Sequence, residues 1–77
     1  MSEYFELSGL KLGEIGEIVE LVEIEEEASL TEKLGIAVGM PVIVLQKAAA
    51  WLVQIGGNQM FLGQEVLRNI IVRNSPI

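Results

Sequence analysis

Glutamate supplies all eleven acidic groups of this chain, and His, Cys and Asp are absent. That removes most side-chain chemistry at once. A Ser-His-Asp or Cys-His arrangement cannot be assembled, because its His is absent. The hydroxyls are Ser2, Ser8, Ser29, Thr31, Ser75 and Tyr4, and most fall in expected loops, caps or termini. Two glutamates can in principle serve as acid and base, but one of them needs a pocket that raises its pKa. A short chain offers little room for one, so the expectation is a protein that is not an enzyme and needs no cofactor.

Metal and phosphate chemistry are poorly supplied as well. Borderline cations such as ferrous iron favour imidazole, thiolate or carboxylate ligands, and only Glu and three Met are present. The cluster Glu23, Glu25, Glu26 and Glu27 has two readings. It gathers a hard cation weakly, without EF-hand spacing, or it is a helix start whose dipole favours anions. Neither Gly13-Glu14-Ile15-Gly16 nor Gly56-Gly57 has the spacing of a phosphate-binding glycine loop.

Charge narrows the partners. The net charge is −6, with ten Glu and one Lys in residues 1–32 and one Glu and four bases in residues 33–77. A phosphate backbone is repelled, so nucleic acid is not expected as a partner. The acidic half is a solvated, solubilising face or a surface that steers a basic protein. The four aromatics, Tyr4, Phe5, Trp51 and Phe61, are too scattered to line a proline-recognition groove. Trp51 reads as a half-buried lid on a small core, and Met40, Trp51, Met60 and Phe61 as a candidate exposed apolar patch.

With 77 residues, 51% of them hydrophobic, the chain is expected to form a single domain with its core over about residues 5–73. A domain this small buries only roughly 60% of its unfolded surface. Without Cys the chain gives no sign of an oxidising compartment, and the cytosol is the default expectation. The N-terminus is acidic and has no apolar signal region. The longest apolar run, residues 34–45, is 12 residues long and broken by Pro41 and two glycines, whereas a membrane helix needs about 20. A cytoplasmic protein without membrane insertion is expected.

The elements that must position any site follow from residue patterns. Residues 1–12 form a lead-in segment that tucks Phe5, Leu7, Leu10 and Leu12 into a core, with Ser8-Gly9 and Gly13 breaking regular structure. Residues 14–24 read as a strand, although glutamates at 14, 17, 20 and 23 also suit a helix face. A parity switch near Ile18-Val19 or Leu21-Val22 implies a bulge. Residues 25–34 read as a short helix, with Leu30 and Leu34 on one face, Lys33 in the last turn and Gly35 just past the end. A turn over 36–41 uses Gly39 at positive φ. Strands follow over 41–46, 51–55, 59–62 and 70–73, with a connector at 48–50, a glycine turn at 56–58 and a helical turn over 64–69. Short strands with one inserted helix predict a mainly all-β fold, a small SH3-like β-barrel. The strand Pro41–Gln46 is a candidate for pairing with a second copy, giving a possible homo-oligomer.

Leu7, Leu10, Gly13, Glu14, Gly16, Ile18 and Val19 spell L-x-x-L-x-x-G-E-x-G-x-I-V. Leu34, Gly35, Gly39 and Val42 follow at the end of the helix, then Lys47-Ala48-Ala49, then Val53, Ile55 and Gly57, and a looser Phe61, Leu62, Leu67, Ile70 and Val72. In order, spacing and length, over about residues 7–72, this pattern resembles the FeoA family, small partner proteins of bacterial and archaeal ferrous iron transporters. It departs from the family at Thr31 and Glu32, where leucines and bases are usual, and at Phe61 and Gly63. The resemblance implies an SH3-like barrel in the cytosol that binds the cytosolic GTP-binding region of a membrane ferrous iron transporter and modulates it. The expected contact surface is the helix and the following turn: Glu26, Glu27, Leu30, Thr31, Lys33, Ile36 and Met40. The alternative is a free-standing regulatory module, similar to the C-terminal domain of iron-dependent repressors. A less specific peptide or small-molecule adaptor is a third reading.

Overall fold

The computed structural model describes residues 3–22 and 33–74. The expected helix over 25–34 therefore lies outside the described residues except for its end, where Lys33 and Leu34 are helical. So do the acidic run Glu23 to Glu27, Leu30 and Thr31.

Period-two alternation builds the sheet. Strand β3 (Pro41–Gln46) buries Val42 and Val44, and β4 (Trp51–Ile55) buries Trp51, Val53 and Ile55. Strand β2 (Ile15–Leu21) turns Gly16 and Ile18 inward, and β6 (Ile70–Asn74) turns in Ile70 and Val72. With β5 (Asn58–Leu62) and the two-residue β1 (Phe5–Glu6), the described residues form one six-stranded sheet in the order β1-β6-β2-β3-β4-β5. Every strand pair is antiparallel. One isolated parallel bridge, Leu12 to Val44, ties the lead-in segment to β3.

Two register shifts curl this sheet around its core. In the β2·β6 pair the register slips between Ile18 and Glu20, so Val19 is the extra residue. This is one of the two places where the sequence parity switches. In the β3·β4 pair it slips between Val44 and Gln46. An extra residue in one strand bends it and increases its twist, which is how a small sheet closes over itself.

The lead-in segment is more regular than its Ser8-Gly9 pair suggests. Leu7–Gly9 is a 3₁₀ turn, closed by the Leu10 N–H donating to the Leu7 carbonyl at 2.9 Å. Leu7 and Leu10 are fully buried as expected, but Leu12 is 61% exposed. The parallel bridge holds its backbone on β3 while its side chain faces solvent. Helix α1 (Gln64–Arg68) is a little over one turn and buries Leu67 against the 3₁₀ turn and β6. Hairpin β4-β5 turns at Gly56-Gly57, with φ positive at Gly56 (61°) and not at Gly57. That is the pattern of a type II′ connection.

Strand Pro41–Gln46, expected to be free for self-pairing, is an interior strand with β2 on one side and β4 on the other. Its backbone groups are committed, and among the described residues the sheet edges are β1 and β5.

The core predicts two stability results. Leu7→Ala and Leu67→Ala each remove a fully buried side chain from the same junction. Each should cost about 2–5 kcal/mol in urea unfolding, and the double variant should differ from the sum because the residues share a packing site. Gly39→Ala adds a Cβ into open space but at φ 95°. Its cost should be about 1–2 kcal/mol of backbone strain alone, and Gly39→Asn should recover part of it.

Candidate functional site

The turn between the helix end and β3 is the described part of the expected contact surface. Two glycines shape it, Gly35 at φ 75° and Gly39 at φ 95°. Gly35 sits where a helix C-terminus turns left-handed, as its place after Leu34 predicts. The turn is then pinned to β2. The Gly39 N–H donates to the Ile18 carbonyl at 2.8 Å, and the Ile18 N–H donates to the Met40 carbonyl at 2.9 Å. Met40 N–H closes the turn on Ala37 at 3.3 Å. This pinning presents the residues between as a fixed loop.

Three of the seven expected contact residues can be placed. Lys33 is exposed. Met40 is half-buried and packs against the core, with Gly56 beside its sulfur. Ile36 is 5% exposed and belongs to the core, so it supports the turn from beneath and offers no contact surface. The apolar side chain at the tip is Val38, 59% exposed. Ile36, Val38 and Met40 share one parity, so the sequence alone does not tell the exposed one from the buried one. The turn breaks that parity by burying the first and lifting the second. Glu26, Glu27, Leu30 and Thr31 lie outside the described residues.

A second apolar surface lies on the outer face of the sheet. Ile15, Pro41, Val42, Ile43, Gln54 and Gly56 line a shallow groove of about 140 Å³. Ile15 and Ile43 are directly opposite in the β2·β3 register, and Ile43 is opposite Gln54 in β3·β4. The signal was present in the sequence: β3 is apolar at both parities, which a strand with one wet face does not require. Beside the groove, Glu17 faces Pro41 on one side and Arg73 on the other. Arg73 Nη2 lies 2.7 Å from Glu17 Oε1 and Nε donates to the same oxygen at 2.9 Å. The hydrogen bond and the charge of Glu17 hold the Arg73 guanidinium above its ordinary value. Both side chains are about a third exposed, so solvent screens the pair and it orients more than it stabilises.

The expected Met40, Trp51, Met60 and Phe61 patch does not form as a unit. Trp51 is 8% exposed and is a core residue, with the Lys47 ammonium 4.5 Å above its ring. Met40 and Met60 are half-buried, and Phe61 points out at 68% exposed. Trp51 is opposite Leu62, not Phe61, so the two aromatics lie on opposite faces of the hairpin.

Among the described residues no three Glu side chains gather as a metal site. Among the described residues no helix is long and apolar enough to cross a membrane. Two carboxylates serve local roles: Glu14 accepts from the Lys11 N–H at 3.0 Å and Glu6 from the Ser8 hydroxyl at 3.1 Å. The arrangement is suited to contact through apolar surface.

Comparison with known proteins agrees with the geometry. No curated protein matches the chain. Among solved structures, an iron uptake regulatory protein (FeoA) superposes with TM-score 0.84 at 19% identity, covering 95% of this chain and 99% of that one. A FeoA-like protein from Clostridium acetobutylicum superposes at 0.87 with 16% identity, covering 96% and 90%. A manganese-dependent transcriptional repressor superposes at 0.86 with 18% identity, covering 97% of this chain but 44% of the repressor. These likenesses establish the SH3-like fold. The FeoA domain model matches residues 5–74, nearly the whole chain, and the protein belongs to the FeoA family.

Proposed function

We propose that this protein is a cytoplasmic accessory factor of ferrous iron uptake that binds the cytosolic GTP-binding region of the membrane iron transporter and modulates it. The observation that carries this reading is the FeoA match over residues 5–74. Its geometry supports it: a chain without His, Cys or Asp presents a fixed apolar tip beside a helix end. The mechanism is differential contact. A partner that binds one transporter conformation better than another shifts the population toward it by that difference in affinity and by no more. The contact residues in this reading are Glu26, Glu27, Leu30, Thr31 and Lys33 together with the exposed Val38 and the half-buried Met40.

A second reading rests on the repressor likeness. The same fold forms part of a manganese-dependent repressor, so this domain can act as a regulatory module through protein contact. The two readings separate by partner: the isolated transporter domain binds under the first and a metal-dependent repressor under the second.

An NMR titration with the transporter's GTP-binding domain, loaded with a GTP analogue or GDP, tests the first reading. Amide shifts should cluster on residues 33–40 and be larger in one nucleotide state. Val38→Lys should weaken binding by roughly tenfold while leaving thermal stability unchanged, since the side chain is exposed. Reversing charge at Glu26 and Glu27 together with Thr31→Arg should weaken it further. Unchanged affinity in both variants would sink the surface, and the absence of any shift would sink the partner.

A further inference from the structure

The two edges of the sheet are built differently. Edge β1 is two residues long and contains Glu6, with Glu3 just before it. Short length and charge are ordinary ways to prevent strands from adding to an edge. Edge β5 has neither protection. Its five residues, Asn58, Gln59, Met60, Phe61 and Leu62, carry no charge and no proline, and they pair with β4 residue for residue without a bulge. Phe61 is the most exposed large apolar side chain among the described residues, at 68%.

The backbone chemistry of this edge is definite. Ile55 and Asn58 close a two-residue hairpin, so they are a hydrogen-bonded pair. Alternation then makes Asn58, Met60 and Leu62 bond toward β4 and turns the N–H and C=O groups of Gln59 and Phe61 toward the open side.

Charge indicates the occupant. Residues 48–64, seventeen in succession, contain no charged side chain, while the whole chain carries −6. Two copies of such a chain repel each other over most approaches, and the β4-β5 hairpin is where they meet without opposed like charges. A basic partner finds no carboxylate on this edge to recognise. We propose that β5 pairs antiparallel with β5 of a second copy of this chain, about a two-fold axis at Met60. That register is the one that uses all five residues. It sets Gln59 against the second copy's Phe61, and these are the residues of β5 whose backbone groups no other described strand pairs, so each such pair exchanges two hydrogen bonds. It also brings the two Phe61 rings to diagonal positions, within reach of aromatic side chains. The contact is isologous and closed, giving a dimer and not a filament.

Sedimentation of the chain alone, from dilute solution up to about 1 mM, tests this without any transporter. The expected result is a species of twice the chain mass that dissociates on dilution. Hydrogen exchange should show concentration-dependent protection of the Gln59 and Phe61 amides. Phe61→Glu should raise the dissociation constant at least tenfold, with far-UV circular dichroism unchanged, and the milder Phe61→Ser should act in the same direction. A monomer at every concentration overturns the proposal. So does a dimer that survives Phe61→Glu with these amides unprotected, or protection that appears only when a different protein is added.

Discussion

The register shift at Val19 is the constraint on which the rest of this structure depends. β2 has to serve two neighbours that diverge. Its first residues, Ile15 to Glu17, pair with β3, and Gly16 to Leu21 pair with β6. A straight strand of seven residues would keep both neighbours in one flat layer and leave the inner faces of β3, β4 and β6 unclosed. The extra residue bends β2 just where β3 departs, and from there Ile18 bonds to Gly39 and Met40 of the turn. Three consequences follow from one residue. The sheet curls, Ile18 enters the centre of the core, and the turn that presents Val38 is anchored to a strand paired on both sides. Gly16 is part of the same solution, because a Cβ there would come within 3.2 Å of the Arg73 carbonyl and 3.4 Å of Leu10. The close approach of β6 and the lead-in segment over β2 needs that position empty.

Much of this was legible in the residues. Strands β3 and β4 have the bounds that their β-branched runs suggest, and Gly35 and Gly39 adopt the positive φ that their places after a helix and before a strand require. Local chemistry decides those features, so local sequence reports them. The parity switch at Ile18-Val19 was readable for the same reason: consecutive apolar residues in a strand flanked by glutamates cannot both face inward without a slip. What was not legible depends on which elements end up adjacent. Nothing local says that Pro41–Gln46 is interior and Asn58–Leu62 an edge, because strand order is set by long-range closure. Ile36 looked like surface because it stands in a glycine turn, yet the turn folds back onto β2 and buries it. Leu12 looked like core from its spacing with Leu10, yet the bridge to Val44 leaves its side chain outside.

The candidate site was less legible than the fold because it depends on surfaces and not on special residues. A catalytic or metal site announces itself through residue types that are expensive to bury and rare by chance. Here the composition excludes most of those types, so the informative quantity becomes exposure, which only tertiary structure assigns. Val38 and Ile36 are both aliphatic residues, two apart in the same turn, and one is core while the other is surface. Their separation comes from the paired hydrogen bonds between Ile18 and the turn, which fix the loop's depth.

Charge segregation organises what those surfaces can do. Ten of the eleven glutamates precede residue 33, and residues 48–64 carry no charge. Among the described residues this division along the sequence has a place in the sheet: Glu6 lies on β1 and Glu17 and Glu20 on β2, while the β4-β5 hairpin makes a neutral margin at β5. The acidic half acts at a distance of several ångströms through its field, falling off within about a Debye length of 8–10 Å, and it favours a basic partner over a phosphate backbone. The neutral margin acts only on contact, through backbone groups and apolar area. Two surfaces that work over different ranges and on different chemistry need not compete, so the contact proposed at the turn and the pairing proposed at the sheet edge are compatible in one chain.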